Sequence, residues 1–270
     1  MPMAPAVPQI AELVAPASWR TVDFISDIHL QAGEPATFEA WRAYLQGTTA
    51  DAVFILGDLF DAWVGDDAVV SDGPDAGAAP GFDALCAQVL QAAGRRLALH
   101  VMHGNRDFLV GPQLMALCQG TLLADPTVLV FAGRRWLLSH GDALCLDDVD
   151  YMRFREQVRS SEWQQAFLAQ PLAARQAIAR GLRQKSREQH EQRRQSGSPT
   201  IDLDAGAARQ WLQAARAPVL IHGHTHLPAV HDLGAGLERV VLSDWDAAAV
   251  PPRAQVLRLD ASGLQRLTLA

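Results

Sequence analysis

The ten residues Ala52-Val53-Phe54-Ile55-Leu56-Gly57-Asp58-Leu59-Phe60-Asp61 decide how the rest of the chain is read. Five apolar residues in a row predict a buried strand, and it stops at a glycine followed by two carboxylates three positions apart. The same grammar recurs on both sides. Upstream, residues 22–26 predict a strand running into Asp27-Ile28-His29. Downstream, residues 97–102 lead to Gly104-Asn105-Arg106-Asp107. Residues 128–131 and 136–139 flank the hairpin signal Ala132-Gly133-Arg134-Arg135 and lead to His140-Gly141-Asp142. Residues 218–221 lead to Gly223-His224-Thr225-His226. Helical patterns near residues 37–46, 84–93, 114–118 and 207–215 alternate with these strands, which predicts an α/β sheet core. Short segments at 229–232, 239–242, 255–259 and 264–269 make the tail β-rich.

Every strand in this series ends in an Asp, His or Asn. Ligands of α/β sheets gather beyond the carboxyl ends of the strands, so five such clusters can converge on one site. Each has an ordinary reading when alone: Asp-x-His is common, Gly-Asp-x-x-Asp can cap a helix, and Gly-Asn-Arg-Asp can form a turn. Taken in order, they supply imidazoles, carboxylates and an amide oxygen without a thiolate, which suits Mn²⁺, Zn²⁺ or Fe²⁺ rather than structural zinc. Seven donors exceed one such ion and fit two that share a carboxylate, the clamp used for in-line displacement at phosphorus. The other histidines are expected elsewhere: His100 and His103 as satisfied core or supporting residues, His222 in a supporting role, and His231 on the surface. Asp23, within the first strand, reads as structural.

The composition narrows the classes. A net charge of −7 argues against a general nucleic-acid binder, whose affinity comes from neutralising phosphates. Cys86, Cys118 and Cys145 are odd in number and widely spaced, which predicts free thiols in a reducing compartment. Residues 1–20 form a Pro/Ala-rich leader without the charged and apolar regions of a signal peptide, leaving a main domain at 21–270. A helical insertion spans about 149–200. Residues 151–194 within it carry ten basic and four acidic side chains, a local +6 against −13 for the remainder. The pairs Phe154/Val158, Trp163/Phe167 and Ile178/Leu182 give these helices an apolar face.

The ordered blocks Asp-x-His, Gly-Asp-x-x-Asp, Gly-Asn-Arg-Asp, His and Gly-His-Thr-His resemble those of the calcineurin-like metallophosphoesterases, from about Asp23 to His226. The third block carries Arg106 where that family usually has histidine. With the run from Ser139 to Asp148, Tyr151-x-x-Phe154-Arg155, Pro171, Leu172 and Ser186, this variant is similar to the branch that cleaves UDP-2,3-diacylglucosamine in lipid A synthesis. The resemblance implies an α/β fold, a β-sandwich flanked by helices, with the helical insertion as a lid over the acyl chains. It implies two Mn²⁺ per chain, the first on Asp27, His29, Asp58 and His226 and the second on Asp58, Asn105, His140 and His224. Asn105 and Arg106 would be catalytic. Substrate contacts would fall on Asn105, Arg106, Asp148, Ser186, His190, Arg193 and His224, with His190 and Arg193 replacing the usual Asn and Lys.

In the implied reaction, metal-activated water attacks the α-phosphorus and yields UMP and 2,3-diacylglucosamine 1-phosphate. That leaving group is itself a phosphate and needs no general acid, so arginine can replace histidine and neutralise the equatorial oxygens. The implied location is cytoplasmic, peripheral on the inner membrane of a Gram-negative bacterium, with the basic insertion towards an anionic surface. The competing readings are a phosphoesterase for a soluble nucleotide or dinucleoside polyphosphate, a nuclease relative sharing His-Gly-His-Thr-His, and a catalytically dead scaffold. The scaffold predicts eroded ligands, whereas all seven are present.

Overall fold

A computed structural model describes residues 7–71, 81–196 and 201–269. The side chains at 70, 71, 189–191, 193 and 194 lie outside the described set, and with them the expected contacts His190 and Arg193. In chain order the first half comprises β1 (Ala11–Val14), β2 (Val22–Ile25), α1 (Pro35–Gly47), β3 (Ala52–Leu56), α2 (Asp67–Ser71), α3 (Phe82–Gly94), β4 (Ala98–Met102), α4 (Pro112–Cys118) and β5 (Thr121–Leu123). A hairpin of β6 (Thr127–Phe131) and β7 (Arg134–Ser139) precedes three helices, α5 (Val149–Arg159), α6 (Ser161–Leu168) and α7 (Leu172–Gln195). Then follow α8 (Ala205–Ala215), β8 (Val219–His222), β9 (Val230–Gly234), β10 (Leu237–Val241), β11 (Gln255–Asp260) and β12 (Gly263–Thr268).

The strands form two six-stranded sheets, ordered β12-β11-β2-β3-β4-β5 and β1-β6-β7-β8-β10-β9. Strand alternation explains how they stack. In β3, Phe54 and Leu56 point into the space between the sheets with Phe24, Leu129, Leu138 and Ile221, whereas Val53 and Ile55 point to the helices. Helices α1, α3 and α4 cover the outer face of the first sheet, and α8 covers the second through Ala208, Trp211 and Leu212. A sandwich with helices on both outer faces buries every side chain of β2, β3 and β8, hence their unbroken apolar runs. The polar exceptions among them are His222 and, in β2, Asp23. Asp23 accepts hydrogen bonds from Tyr44 (3.0 Å), Thr48 (2.9 Å) and Arg258 (2.7 Å), a structural role as expected.

Several expectations change. Part of the stretch read as a leader forms β1, an edge strand parallel to β6. The helical insertion consists of three helices: Asp148 caps α5 by accepting from the Tyr151 backbone N–H, and Ser160 caps α6 by accepting from Trp163. Val158 and Phe167 are buried and Trp163 stacks on Phe167 at 4.7 Å, but Ile178 and Leu182 remain exposed. His100 lies in the core between Phe54 and Trp19, with no hydrogen-bond partner on either ring nitrogen among the described residues, so it is not satisfied there. His231 is half-buried rather than on the surface. The three cysteines are buried and free. Among the described residues, no helix is long and apolar enough to cross a membrane.

Candidate metal centre

The loops after β2, β3 and β4 in one sheet, and after β7 and β8 in the other, meet at one end of the sandwich. Backbone hydrogen bonds lace them together: Asp27 N–H donates to Gly57 O (3.1 Å), Ile28 and His29 N–H to Asp58 O (2.9 and 3.0 Å), and Gly223 N–H to His140 O (3.0 Å). Five of the seven expected donors adopt a left-handed backbone: Asp27, His29, Asp58, His224 and His226, with φ of 54°, 51°, 53°, 69° and 55°. A non-glycine residue held there costs about 1–3 kcal/mol, strain that collects at functional sites. Two motif glycines let the loops close up. A Cβ on Gly104 would collide with the Asp58 carboxylate, and one on Gly223 with Asp27 and Ser26.

The side chains then take defined positions. Asp27 Oδ2 accepts from the Ser26 hydroxyl (2.5 Å) and the His224 N–H (2.9 Å), which turns Oδ1 towards His226 Nε2 at 3.3 Å and His29 Nε2 at 4.0 Å. Asp27, His29 and His226 form one group with metal-ligating spacing, and Asp27, Asp58 and His140 form another. Asn105 Oδ1 lies 3.0 Å from His140 Nε2 and 2.9 Å from His224 Nδ1. His140 Nδ1 sits 2.9 Å from Leu56 O, a pure acceptor, so Nδ1 carries the proton and a neutral ring aims its Nε2 lone pair at the amide oxygen. Three arrangements relieve that clash: a second proton on the His140 ring, an amide turned to donate to both rings, or a cation among the donors. His29 Nδ1 is also buried without a hydrogen-bond partner among the described residues. Hard and borderline donors converging with their lone pairs uncompensated fit divalent cations.

Protonation follows from the same crowding. Burial pushes His29 down to about 3 and His224 to about 4, so both rings offer lone pairs at neutral pH. Burial acts the same way on His140, but the carboxylates of Asp58, Asp27 and Asp142 outweigh it and hold the ring at about 9. Asp58 itself is pushed well up, first by burial and then by Asp107 and Asp27. Burial opposes ionisation of Asp27 too, yet His226, His140 and His29 hold it far below the carboxylate range. Without a cation, the centre therefore retains a proton on the His140–Asp58 pair at neutral pH.

Arg106 flanks this centre. Its backbone N–H donates to Asp58 Oδ1 (2.8 Å) and its guanidinium Nε lies 3.9 Å from Asp58 Oδ2. The structure thus brings Asp27, His29, Asp58, Asn105, Arg106, His140, His224 and His226 together. Asp148 caps the start of α5, and Ser186 is half-buried on α7. Sequence reasoning missed two organising carboxylates. Asp107 accepts from the backbone N–H groups of Gly104 (2.7 Å) and Leu59 (2.8 Å), buckling the second and third loops together. Asp142 accepts from Tyr151 Oη (2.6 Å) and Arg155 Nε (2.8 Å), and Tyr151 stacks on His224 with ring centroids 5.9 Å apart. Asp107 closes the Gly-Asn-Arg-Asp block and Asp142 follows His140 by two, so motif position was the available signal.

The comparisons with known proteins identify the family. The calcineurin-like phosphoesterase family matches residues 20–228. A protein of Cellvibrio japonicus named UDP-2,3-diacylglucosamine hydrolase is 43% identical over 82% of this chain and 90% of its own. Proteins of the same name from Chromobacterium violaceum and Stenotrophomonas maltophilia are 43% and 39% identical, over 92% and 93% of this chain and 98% and 99% of theirs. The chain belongs to the calcineurin-like phosphoesterases and, within them, to the family of these relatives.

Proposed function

We propose that this chain hydrolyses the pyrophosphate bond of UDP-2,3-diacylglucosamine to UMP and 2,3-diacylglucosamine 1-phosphate, using two Mn²⁺. The observation that carries the reading is Arg106 beside Asp58, where a general acid would otherwise stand. Arginine cannot protonate a leaving group, so the site suits one that departs as a phosphate. The name shared by the full-length relatives points to the same substrate.

Two bound divalent cations would supply a nucleophilic water at neutral pH and neutralise phosphoryl charge. Asp27, His29, Asp58 and His226 would hold one, and Asp58, Asn105, His140 and His224 the other. Arg106 neutralises the equatorial oxygens as charge builds at phosphorus, and Asn105 and His224 border the same space. Asp148, Ser186, His190 and Arg193 would contact the sugar and phosphate from the helical side, with α5–α7 acting as a lid over the acyl chains.

Peripheral contact with the cytoplasmic face of the inner membrane belongs to the same proposal. The exposed Ile178 and Leu182 on α7, near the exposed Lys185 and Arg187, support it. A side-by-side assay tests the substrate. Mn²⁺-dependent release of UMP from UDP-2,3-diacylglucosamine, with little turnover of dinucleoside polyphosphates, is expected. The reverse preference would replace this reading with the soluble-nucleotide one.

A further inference from the structure

The geometry points to Arg183 as an additional substrate contact, a guanidinium held on Asp61 whose spare nitrogen takes a phosphate oxygen of the substrate on the His29 side of the centre. This rests on the function proposed above. Arg183 lies in the middle of α7, three residues before Ser186, so the two share a helix face. Its side chain is 15% exposed and that of Asp61 13%. Arg183 Nε donates to Asp61 Oδ2 at 2.9 Å and Nη2 donates to Oδ1, a fork-to-fork pair that fixes the guanidinium plane. The Asp61 N–H donates to Leu30 O at 3.1 Å, which places the pair against the loop carrying Asp27 and His29.

The third nitrogen differs from the other two. Arg183 Nη1 is buried and has no hydrogen-bond partner among the described residues. A buried charged donor is costly to leave unpaired, so this one calls for an acceptor that the protein does not provide. Arg175, two turns earlier on the same helix, shows the contrast. Its Nε donates to Gln170 O (2.9 Å), Nη1 to Val64 O and to Asp67 Oδ1 (2.9 Å), and Nη2 to Asp67 Oδ2. Arg175 is a fastener with every nitrogen used, whereas Arg183 is fastened on one edge and unsatisfied on the other. With Arg106 on the Asp58 side, two arginines then bracket the reacting phosphates.

The test measures calorimetric binding of UMP and of 2,3-diacylglucosamine 1-phosphate to Mn²⁺-loaded wild type, Arg183→Ala, Arg183→Lys and the exchanged pair Asp61→Arg/Arg183→Asp. Expected for Arg183→Ala is at least tenfold weaker binding of one product. The product affected identifies which phosphate is held. The KM for UDP-2,3-diacylglucosamine should rise by a similar factor, with metal content unchanged and the melting temperature lowered by loss of the pair with Asp61. Arg183→Lys, which keeps the charge, should recover part of the loss. Unchanged binding of both products by Arg183→Ala, or binding restored to within twofold by the exchanged pair, would overturn the proposal and leave the pair as a fastener only. A wild type that binds the products but does not hydrolyse the nucleotide lipid would contradict the proposed function instead.

Discussion

The loops that carry the candidate metal donors and the helices that cover them are attached to the molecule in different ways. In the loops, the backbone is the device: five donor residues sit at positive φ, laced by main-chain hydrogen bonds and admitted by glycines that leave no room for a Cβ. In α5–α7, side-chain charge does the holding. Arg155 meets Asp142, Arg159 Nη2 donates to Gly104 O (2.9 Å), Arg175 meets Asp67 and Arg183 meets Asp61. The local +6 of the insertion is therefore largely directed inwards, onto carboxylates of the core. Among the described residues its exposed charges, Arg153, Arg180, Lys185 and Arg187 against Glu156, Glu162 and Glu188, nearly balance. Strained loops fix a geometry that tolerates little change, whereas ion pairs can be removed one at a time.

That contrast is easiest to break at Asp58, which lies beside both donor groups. Asp58→Ala should abolish stoichiometric metal and lower turnover by roughly 10³-fold or more, as elemental analysis and steady-state kinetics would show. Normal metal content in this variant would dismantle the shared-carboxylate arrangement. Arg106→Ala should fall next, with kcat down by about 10²–10³ while metal content stays near that of wild type. Near-wild-type turnover there would remove the reason for a phosphate leaving group.

Protonation sharpens the account of the loops. His140 is held up at about 9 without metal, so it is protonated at pH 7 and must lose that proton to coordinate. Metal loading at pH 7 should release about one proton, and affinity should weaken as pH falls from 9 towards 6. Calorimetry in buffers of different ionisation enthalpy measures both, and binding independent of pH over that range would contradict the charge balance drawn for the site.

The fasteners should behave differently. Arg175 is 2% exposed, so Arg175→Ala strands the carbonyls of Val64 and Gln170 and should cost roughly 2–4 kcal/mol of stability by denaturant titration. Its kcat should stay within a few-fold of wild type once folded. The smallest effect is expected at Arg153, whose pair with Asp150 is 3.7 Å long and exposed on both sides. Its replacement by alanine should move stability by less than about 0.5 kcal/mol.

The same contrast explains what could be read from sequence. The donors were legible because each stands directly after an apolar strand, and strand ends gather on one edge. Edge strand β1 was not, because Ala11–Val14 alternates between half-buried and exposed residues within a Pro/Ala-rich stretch. The arginine–aspartate fasteners were not legible either. Arg183 and Asp61 are 122 positions apart, and no local pattern marks such partners. The break after α5 could have been found, since Ser160 followed by helix-forming residues is a capping signal. The environment of His100 could not, because its lack of polar neighbours depends on how the two sheets pack.

Hydrolysis of UDP-2,3-diacylglucosamine in ¹⁸O-labelled water, with both products analysed by mass spectrometry, tests the central claim most directly. Attack at the α-phosphorus predicts one ¹⁸O in UMP and none in 2,3-diacylglucosamine 1-phosphate. Label in the sugar phosphate, or no hydrolysis by the Mn²⁺-loaded protein, would contradict it.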